Sequence, residues 1–413
     1  MALILRLLLA IKKIMNLILQ LLMMPFAIII LLLRPIIFIR FGILSYKRIG
    51  HLTIDTAIYF SKKKKFNDKK IIDIIGYSFY KSCNKQLIKI WSRRFNIFRA
   101  GLLIETIKNS LELLTRSKDF TIDLYGLDKD RHYIEGNYIS FTENEINFCN
   151  KILSKLNIPK DKKWVCIHNR DNAYFNKKFK LGTIINKNRD HSLRNFPIDD
   201  MINCSLELSK LDYYVIRVGS IQETLLDTGN DKIIDYSQSK YRSDLFDIFL
   251  LSKCHFYLGS DSGIANVAVI SNKYIGWINQ MLYSNWSYPV RNRISIYKQF
   301  YSNELKRPLS VKEIYKKGYH QMSYVIDAKN ANLELINNTP EEINELSKEI
   351  LSRLNNTWRY TKEEEILHKK YKDILKEIYS DKENLTNGSA EIIDFKNIVI
   401  GNFYLKNNLY LLD

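Results

Sequence analysis

The feature that most constrains this chain of 413 residues is a regular alternation of short apolar segments and helical segments between residues 164 and 277. The apolar segments predict strands at 164–168, 213–218, 233–235, 254–258 and 274–277. The intervening segments predict helices at 198–210, 243–252 and 265–270. Strands that alternate with helices form a parallel sheet, which binds ligands at the carboxyl ends of its strands. The sequence therefore predicts an α/β fold with its binding site at that edge.

A turn of small residues, G-S-D-S-G at 259–263, joins the fourth of these strands to the following helix. Small side chains let a ligand approach the backbone closely, and the N-terminus of a helix favours a phosphate. The side chains of Asp261 and Ser262 can cap the helix or hydrogen-bond a sugar. The turn thus predicts a phosphate and sugar site, with an ordinary helix cap as the alternative.

Length and composition favour a globular protein of about two domains whose partners carry negative charge. The chain has 63 Lys and Arg against 44 Asp and Glu, a formal net charge of +19, which favours phosphorylated donors or an acidic membrane face. Because the Lys residues are scattered through a chain rich in Ile and Asn, the charge alone does not indicate a nucleic acid, and we expect none. The five cysteines are widely spaced without a C-x-x-C, so neither a disulfide framework nor a zinc site is expected.

Residues 14–33 contain no charged side chain and are about long enough to cross a bilayer. Lys12 and Lys13 precede this run and Arg34 and Arg40 follow it, so the distribution of basic residues leaves the topology open. A spanning helix and a helix lying in the membrane interface both fit the pattern, and a buried hydrophobic helix is the third interpretation. We expect a membrane-associated protein whose α/β domains lie in the cytoplasm.

Four regions are predicted along the chain. They are a membrane-associated segment at 1–34, an N-terminal α/β domain at 35–158, a C-terminal α/β domain at 159–338 and a helical extension at 339–413. The N-terminal α/β domain begins with a strand at 35–44, a loop that holds Gly50 and His51, and a helix that opens near Thr53. Further elements are predicted as strands at 71–75 and 122–124 and as helices at 86–98, 102–114, 142–156, 342–354 and 363–379.

Two charged motifs are predicted to face one crevice of the C-terminal α/β domain. H-N-R-D at 168–171 ends a strand, and R-N-F-P at 194–197 precedes a helix. Arg170 and Arg194 are natural bidentate partners for a pyrophosphate, although either Arg alone is more often a surface salt bridge. His168 is equally consistent with a ligand contact and with a hydrogen-bonded histidine of the core.

Arg217 interrupts the apolar strand predicted at 213–218. A charge inside such a strand needs a partner. The sequence leaves two candidates open, a carboxylate such as Asp171 and the bound ligand.

The order of these motifs resembles the C-terminal half of GT-B glycosyltransferases. It is most similar to a bacterial family found among surface-polysaccharide genes, and more distantly similar to the lipopolysaccharide heptosyltransferases. The resemblance runs from about residue 48 to residue 412. Its specific parts are R-I-G-H-L, H-N-R-D, R-N-F-P, the D-S-G turn, P-L-S-V-K-E-I, N-N-T-P-E-E-I and G-N-F-Y-L-K-N-N-L.

The resemblance to heptosyltransferases implies a donor site. Arg194 stands where those enzymes have a Lys that meets the donor phosphates, and Asn266 stands where they have a histidine. The residues that the resemblance places on the diphosphate and sugar are Ser260, Asp261, Ser262 and Gly263. Lys298 and Glu313 also match the family, without an assigned role.

The resemblance also implies catalytic residues. Gly50-His51 stands at a Gly-Asp pair whose Asp resembles a general base, and an imidazole titrates near neutral pH, as such a base requires. Asp55, one helical turn further on, is the next candidate for the base. H-N-R-D is similar to the H-x-R motif of fucosyltransferases, which assigns Arg170 to the departing phosphate.

The resemblance implies a GT-B architecture of two Rossmann-like domains that face a cleft, an acceptor domain at 35–158 and a donor-binding domain at 159–338. These are the catalytic domains that we expect in the cytoplasm. The implied reaction transfers a sugar from a nucleotide-activated donor to a saccharide or lipid-linked acceptor, and a histidine base favours inversion. No D-x-D pair is placed to clamp a metal, so we expect no metal and no cofactor beyond the donor itself. The alternatives are a nucleotide-sugar 2-epimerase of the same fold and a non-catalytic, basic, membrane-bound binding protein.

Overall fold

The computed structural model describes residues 2–65, 70–78, 82–126, 136–173, 176, 190–281, 292–322, 324–380 and 398–413. The chain forms two compact units, Met1–Asp130 and Arg131–Asp413, which we call unit 1 and unit 2. This division lies upstream of the predicted boundary at 158/159, because the helix at Glu143–Lys155 packs with unit 2. Both units are α/β and contain a parallel sheet.

Unit 1 is built on a four-stranded sheet in the order β3-β2-β1-β4, whose strands all pair in parallel. Its strands are β1 (Phe38–Ile43), β2 (Ile71–Gly76), β3 (Asn96–Phe98) and β4 (Thr121–Ile122). Its helices are α1 (Ala2–Leu33), α2 (Ile49–Lys65), α3 (Lys85–Ser92) and α4 (Gly101–Thr115). The sheet grows from β1 toward β3 on one side and gains β4 on the other, so its direction of winding reverses between β1 and β4.

Four elements of unit 1 differ from their predicted limits by two or more residues. The strand predicted at 35–44 is Phe38–Ile43, and the strand predicted at 122–124 is Thr121–Ile122. The helix predicted at 86–98 ends at Ser92, and residues 96–98 form β3, which pairs with β2. The helix predicted to open near Thr53 begins at Ile49, so His51 lies in the first turn of α2 rather than in a loop.

Unit 2 contains a six-stranded parallel sheet and a small antiparallel sheet. Its strands are β5 (Trp164–His168), β6 (Tyr214–Arg217), β7 (Ile233–Asp235), β8 (Phe256–Gly259), β9 (Tyr274–Gln280), β10 (Arg293–Tyr297), β11 (Gln299–Ser302), β12 (Arg307–Pro308) and β13 (Leu333–Ile336). Its helices are α5 (Glu143–Lys155), α6 (Ile202–Lys210), α7 (Asp244–Lys253), α8 (Ala265–Ile270), α9 (Val311–Lys316), α10 (Val325–Asn330), α11 (Pro340–Leu354), α12 (Lys362–Ser380) and α13 (Asn402–Asn407). Short 3-10 turns occur at Ser192–Arg194 and Ile198–Met201, and the second of them replaces the start of the helix predicted at 198–210.

The larger sheet has the order β10-β9-β8-β5-β6-β7, and each neighbouring pair is parallel. Counted from β5, this is the strand order 6-5-4-1-2-3 of dinucleotide-binding sheets. The chain winds outward through β6 and β7 and then returns to build β8 to β10 on the other side. The topological switch point therefore lies between β5 and β8, where ligands bind in sheets of this kind.

Local sequence signals explain several of these helices. Thr142 caps α5 and Thr339 caps α11, and in each case a Glu three residues later completes a capping box. Pro340 occupies the first helical position of α11, where its missing N–H costs nothing. The helices beyond residue 339 are not separate from unit 2, because Ile343 and Ile350 share one core with Val165 of β5.

Candidate functional site

Three segments meet at the switch point of unit 2. The Ser260 N–H donates to the His168 carbonyl oxygen at 3.2 Å, which joins the G-S-D-S-G turn to the end of β5. The Phe196 N–H donates to the Arg170 carbonyl oxygen at 3.2 Å, and Asn169 Nδ2 donates to the Phe196 carbonyl oxygen at 3.1 Å. H-N-R-D, R-N-F-P and the turn therefore lie side by side at the carboxyl edge of the sheet.

Gly259 makes the close approach between β8 and β5 possible. A Cβ atom at this position would lie 2.3 Å from the His168 carbonyl oxygen and 2.8 Å from the Tyr257 hydroxyl. Any side chain would push the two strand ends apart at the switch point. The first glycine of G-S-D-S-G thus serves strand packing.

The turn does not act as a side-chain cap for α8. The N-cap residue of α8 is Ile264, and no side chain caps the helix. The Ser260 side chain is fully buried, and its Oγ has no hydrogen-bond partner among the described residues. A buried hydroxyl normally has a partner, so Ser260 is a position where a polar ligand group is expected. Asp261, Ser262 and Gly263 are half-buried beside it, and Asn266 is buried at the start of α8.

Arg194 is the cation of the R-N-F-P segment. It closes the 3-10 turn at Ser192–Arg194, and its side chain is half-buried. Within the described ranges no carboxylate pairs with its guanidinium. Arg170 is half-buried at the end of the neighbouring strand, and its carbonyl oxygen holds the same segment.

His168 is a neutral neighbour of these cations. Its Nδ1 donates to the Val218 carbonyl oxygen at 2.9 Å, and its ring is buried. Burial lowers the pKa of His168 to about 4, since a desolvated imidazolium is disfavoured. Of the two roles left open by the sequence, the geometry supports a hydrogen-bonded core histidine, with a ligand contact left to its other ring nitrogen.

Arg217 lies beneath the site, with a fully buried side chain. Its partner carboxylate is Asp235 on the adjacent strand β7, at 2.9 Å, and not Asp171. The guanidinium also donates to Asn169 Oδ1 at 2.9 and 3.2 Å and to the Thr224 carbonyl oxygen at 2.6 Å. Because its donors are directed at protein groups, Arg217 positions Asn169, and through it the R-N-F-P segment.

Lys298, which lies between β10 and β11, supports the same segment. Its buried Nζ donates to the Asn195 carbonyl oxygen at 2.9 Å and to Asn337 Oδ1 at 2.7 Å. Burial lowers the pKa of Lys298 to about 8. The sequence signal for this role was a lone Lys in the apolar run I-S-I-Y-K-Q-F, which names no function by itself.

The low pKa of Lys298 predicts a specific dependence of stability on pH. Between about pH 8 and 10.5 the unfolded chain binds more protons at this position than the folded chain, so the free energy of unfolding rises with pH. Relative to Lys298→Met, the parent protein should gain roughly 3 kcal/mol over this window. Urea titrations at several pH values measure the difference. Lys298→Arg keeps its charge throughout this range, so its free energy of unfolding should not show the rise either. If the free energy of unfolding had the same pH dependence in the parent protein and in Lys298→Met, the lowered pKa of Lys298 would be refuted.

Two further polar side chains at this edge were not singled out from the sequence. Gln280 ends β9 with a buried side chain whose Oε1 and Nε2 both lack hydrogen-bond partners among the described residues. Asn195 donates to Asn172 Oδ1 at 2.7 Å, while its own buried Oδ1 accepts no hydrogen bond in the described part of the chain. Orphaned groups of this kind are typical of sites whose ligand supplies the missing partners.

Glu313 has a structural role that the family match did not reveal. It completes the capping box of Ser310 at the start of α9. Its two carboxylate oxygens accept hydrogen bonds from the two terminal nitrogens of the Arg307 guanidinium, at 2.6 and 2.9 Å. The Arg307 guanidinium holds the pKa of Glu313 at about 2. Nothing in this geometry links Glu313 to the switch point.

Unit 1 has its own side-chain cluster at the switch point between β1 and β4. His51 follows β1, and its Nδ1 faces Asp55 Oδ2 at 3.0 Å. The Gly126 N–H, which follows β4, donates to the same oxygen at 3.0 Å. The Tyr125 ring lies against the His51 ring with 4.7 Å between centroids.

The arrangement of His51 and Asp55 is that of a base with its orienting carboxylate. Asp55 is fully buried, whereas about a quarter of the His51 side chain is exposed. A carboxylate only accepts hydrogen bonds, so the proton between the two groups lies on Nδ1 of His51, and in the neutral imidazole Nε2 then carries the lone pair. The pairing fixes the ring orientation, as in other carboxylate–histidine pairs. The sequence named both residues as candidates for one role, and the structure makes them partners.

Of the comparisons with known proteins, the one with solved structures finds similar chains. No protein-family model and no curated protein matches the chain. One similar structure is a glycosyl transferase family 9 protein from Veillonella parvula DSM 2008, with a TM-score of 0.45 and 10% identity over 76% of this chain and 97% of that chain. Another is the ADP-heptose lipopolysaccharide heptosyltransferase II of E. coli, with a TM-score of 0.37 and 10% identity over 62% and 90%. The E. coli heptosyltransferase WaaC with ADP has a TM-score of 0.29 and 10% identity over 58% and 89%. Likenesses this distant carry no information about activity.

Proposed function

We propose that this protein is a glycosyltransferase of the GT-B type, which moves a sugar from a nucleotide-activated donor to a saccharide or lipid-linked acceptor in the synthesis of a surface polysaccharide. Unit 2 binds the donor, and unit 1 supplies the catalytic base. The observation that carries the proposal is the meeting of residues 168–171, 194–196 and 260–263 at the switch point of the unit 2 sheet. Sheets with this strand order bind nucleotides at that point.

The donor diphosphate is held by cations and by the small-residue turn. Arg194 is half-buried without a carboxylate partner in the described chain, and a guanidinium binds phosphate oxygens with two parallel hydrogen bonds. Arg170 stabilises the charge that develops on the departing diphosphate. The hydroxyl of Ser260 and the side chains of Asp261, Ser262 and Asn266 bind the sugar and the phosphates.

The transfer itself requires a base on the acceptor side. The acceptor hydroxyl attacks the anomeric carbon, and its proton passes to Nε2 of His51. The bond from the anomeric carbon to the diphosphate breaks, and the nucleoside diphosphate leaves with both electrons of that bond. Attack from the face opposite the leaving group inverts the anomeric centre. No metal takes part in the proposed reaction, because Arg170 and Arg194 meet the charge of the leaving group.

The test is a screen of nucleotide sugars with the full chain, in which nucleoside diphosphate release and the fate of the sugar are both measured. We expect one donor to release its diphosphate with the sugar joined to an added acceptor. Arg194→Ala should lower kcat/KM for that donor. The decrease should correspond to a loss of about 1.5–3 kcal/mol of transition-state stabilisation, the usual value for a charged hydrogen bond. Lys210→Ala, which removes an exposed cation paired with Glu207, is the matched control.

Two outcomes would replace the proposal. A nucleotide sugar that changes at one carbon without transfer would identify a 2-epimerase. Saturable binding of nucleotide sugars with no turnover of any donor and acceptor pair would identify a binding protein. An Arg194→Ala variant that is less active solely because it is less stable would make Arg194 a structural residue.

A further inference from the structure

Helix α1 is long and apolar enough to cross a membrane over Lys13–Leu33, yet one side of it belongs to the core of unit 1. Ala27 is fully buried against Phe41 of β1, Ile104 and Leu111 of α4, and Phe120. Ser110 of α4 donates from Oγ to the Gln20 carbonyl oxygen at 3.0 Å. The half-buried or buried residues of the helix recur at helical spacing, namely Leu19, Gln20, Met23, Met24, Ala27, Ile30 and Leu31.

This packing is incompatible with a spanning role for α1. The stretch from Gln20 to Leu31 is about 17 Å long at 1.5 Å per residue, which is more than half of the hydrocarbon thickness. A spanning helix would carry that stretch, and the α/β core attached to it, into the hydrocarbon. Irregular backbone and open sheet edges are not tolerated there. A helix fixed along its length to a globular unit instead lies parallel to the membrane.

Outside this buried stripe, most of the described α1 side chains from Ile14 to Leu33 are apolar and exposed, and α4 extends this surface. On α4, Leu102 and Leu113 are exposed by 64% and 54%, and Leu103 and Leu114 are also exposed. At 100° per residue these four leucines lie on either side of Ser110, the residue that contacts α1. The exposed Glu105 and the half-buried Glu112 lie on the far flank of the helix, nearly half a turn from Ser110.

Charge identifies the surface that would cover this face. Residues 1–50 contain seven Lys and Arg and no Asp or Glu, and residues 1–130 contain 23 basic against nine acidic residues. Arg34 is exposed at the end of α1, where it contacts the Phe38 and Phe120 rings and lies 3.6 Å from Asp119. Arg99 is exposed between Phe98 and the leucines of α4. Apolar side chains flanked by cations are typical of helices that lie at anionic lipid surfaces.

We propose that α1 and α4 together form a monotopic membrane face, which inserts its leucines and isoleucines into one leaflet of an anionic bilayer. Both ends of α1 then remain on the same side of the membrane. The face belongs to the unit that carries His51, which brings that unit to the surface where lipid-linked molecules reside. The inference concerns lipid binding alone and does not depend on glycosyl transfer.

The first test is cosedimentation of the full chain with preformed vesicles of phosphatidylcholine, with and without phosphatidylglycerol. We expect binding that strengthens with phosphatidylglycerol. The double variant Leu102→Asp with Leu113→Asp should weaken it by about tenfold or more, because two buried leucines are lost. Leu211→Asp with Leu225→Asp, at exposed positions of unit 2, is the matched control. An unchanged affinity of the α4 variant, with its thermal unfolding also unchanged, would exclude α4 from the face.

The second test locates the two ends of α1. Lys13→Cys and Arg34→Cys are made separately in a Cys83→Ser background, since the other four cysteines are buried. On preformed vesicles, a membrane-impermeant maleimide should label both positions. Protection of either position would show a spanning helix and overturn the proposal. A dimer of the lipid-free protein that no longer binds vesicles would show that a second copy covers the face, and would overturn it as well.

Discussion

Replacing Arg217 by Met should lower the free energy of unfolding of unit 2 by about 3–5 kcal/mol, the cost of removing one partner from a buried ion pair. Arg217 is fully buried and Asp235 is 10% exposed, so the variant leaves a largely buried carboxylate without its cation. Asn169 loses two donors in the same step. Urea titration of the variant against the parent protein measures the loss.

Two further variants make this result specific to the buried guanidinium. Lys162→Met breaks the exposed pair with Asp212 and should cost at most about 1 kcal/mol. Arg217→Lys keeps the charge without the planar fork, so it should recover part of the loss. If Arg217→Met left stability unchanged and abolished donor binding, Arg217 would be a donor ligand, which is the second of the two partners that the sequence left open.

Arg217 also shows where sequence reasoning stops. The need for a partner follows from one charge in an apolar strand, and it was stated correctly. The identity of the partner depends on the register of β6 and β7, which places Arg217 opposite Asp235. Asp171, the carboxylate of the H-N-R-D motif that the sequence offered as a partner, instead accepts hydrogen bonds from the backbone N–H groups of Ala173 and Glu223. Register is set by long-range pairing, so no local pattern contains it.

The elements that the sequence predicted well are those with strong local signals. The strands at Trp164–His168 and Ile233–Asp235 and the helix at Ala265–Ile270 have the predicted limits. By contrast, β3 was predicted as part of a helix, because its apolar residues also fit helical spacing. Pairing with β2 decides its conformation, and tertiary contacts of that kind override weak local preferences.

The sequence predicted the motifs of the candidate site, but it did not predict the buried side chains that hold these motifs in place. The turn at 259–263 and the two Arg motifs follow from residue types that phosphates favour. Asn169, Gln280 and Lys298 are defined by what they contact or fail to contact, which only the folded chain reveals. Whether these groups bind a nucleotide sugar stays a prediction.

The His51→Gln variant should lower turnover by about a hundredfold or more, the usual scale for the loss of a general base. Glutamine keeps a polar group of similar reach but cannot accept the proton of the acceptor hydroxyl. Donor affinity should remain near that of the parent protein, because His51 belongs to unit 1 and the proposed diphosphate ligands belong to unit 2. Steady-state kinetics and calorimetry with the nucleoside diphosphate measure the two quantities separately.

Asp55→Asn distinguishes an oriented base from a histidine that merely packs in the first turn of α2. An amide at this position can donate to Nδ1, which then gives up its proton to Nε2 and leaves no lone pair for the acceptor. Turnover should therefore fall in Asp55→Asn although His51 is intact, by the logic of an orienting carboxylate. His320→Gln, which removes a histidine stacked on Tyr315 in unit 2, is the control and should remain active. If Asp55→Asn lost turnover while His51→Gln did not, the carboxylate itself would be the base. If neither variant lost turnover, the proton acceptor would lie outside this pair.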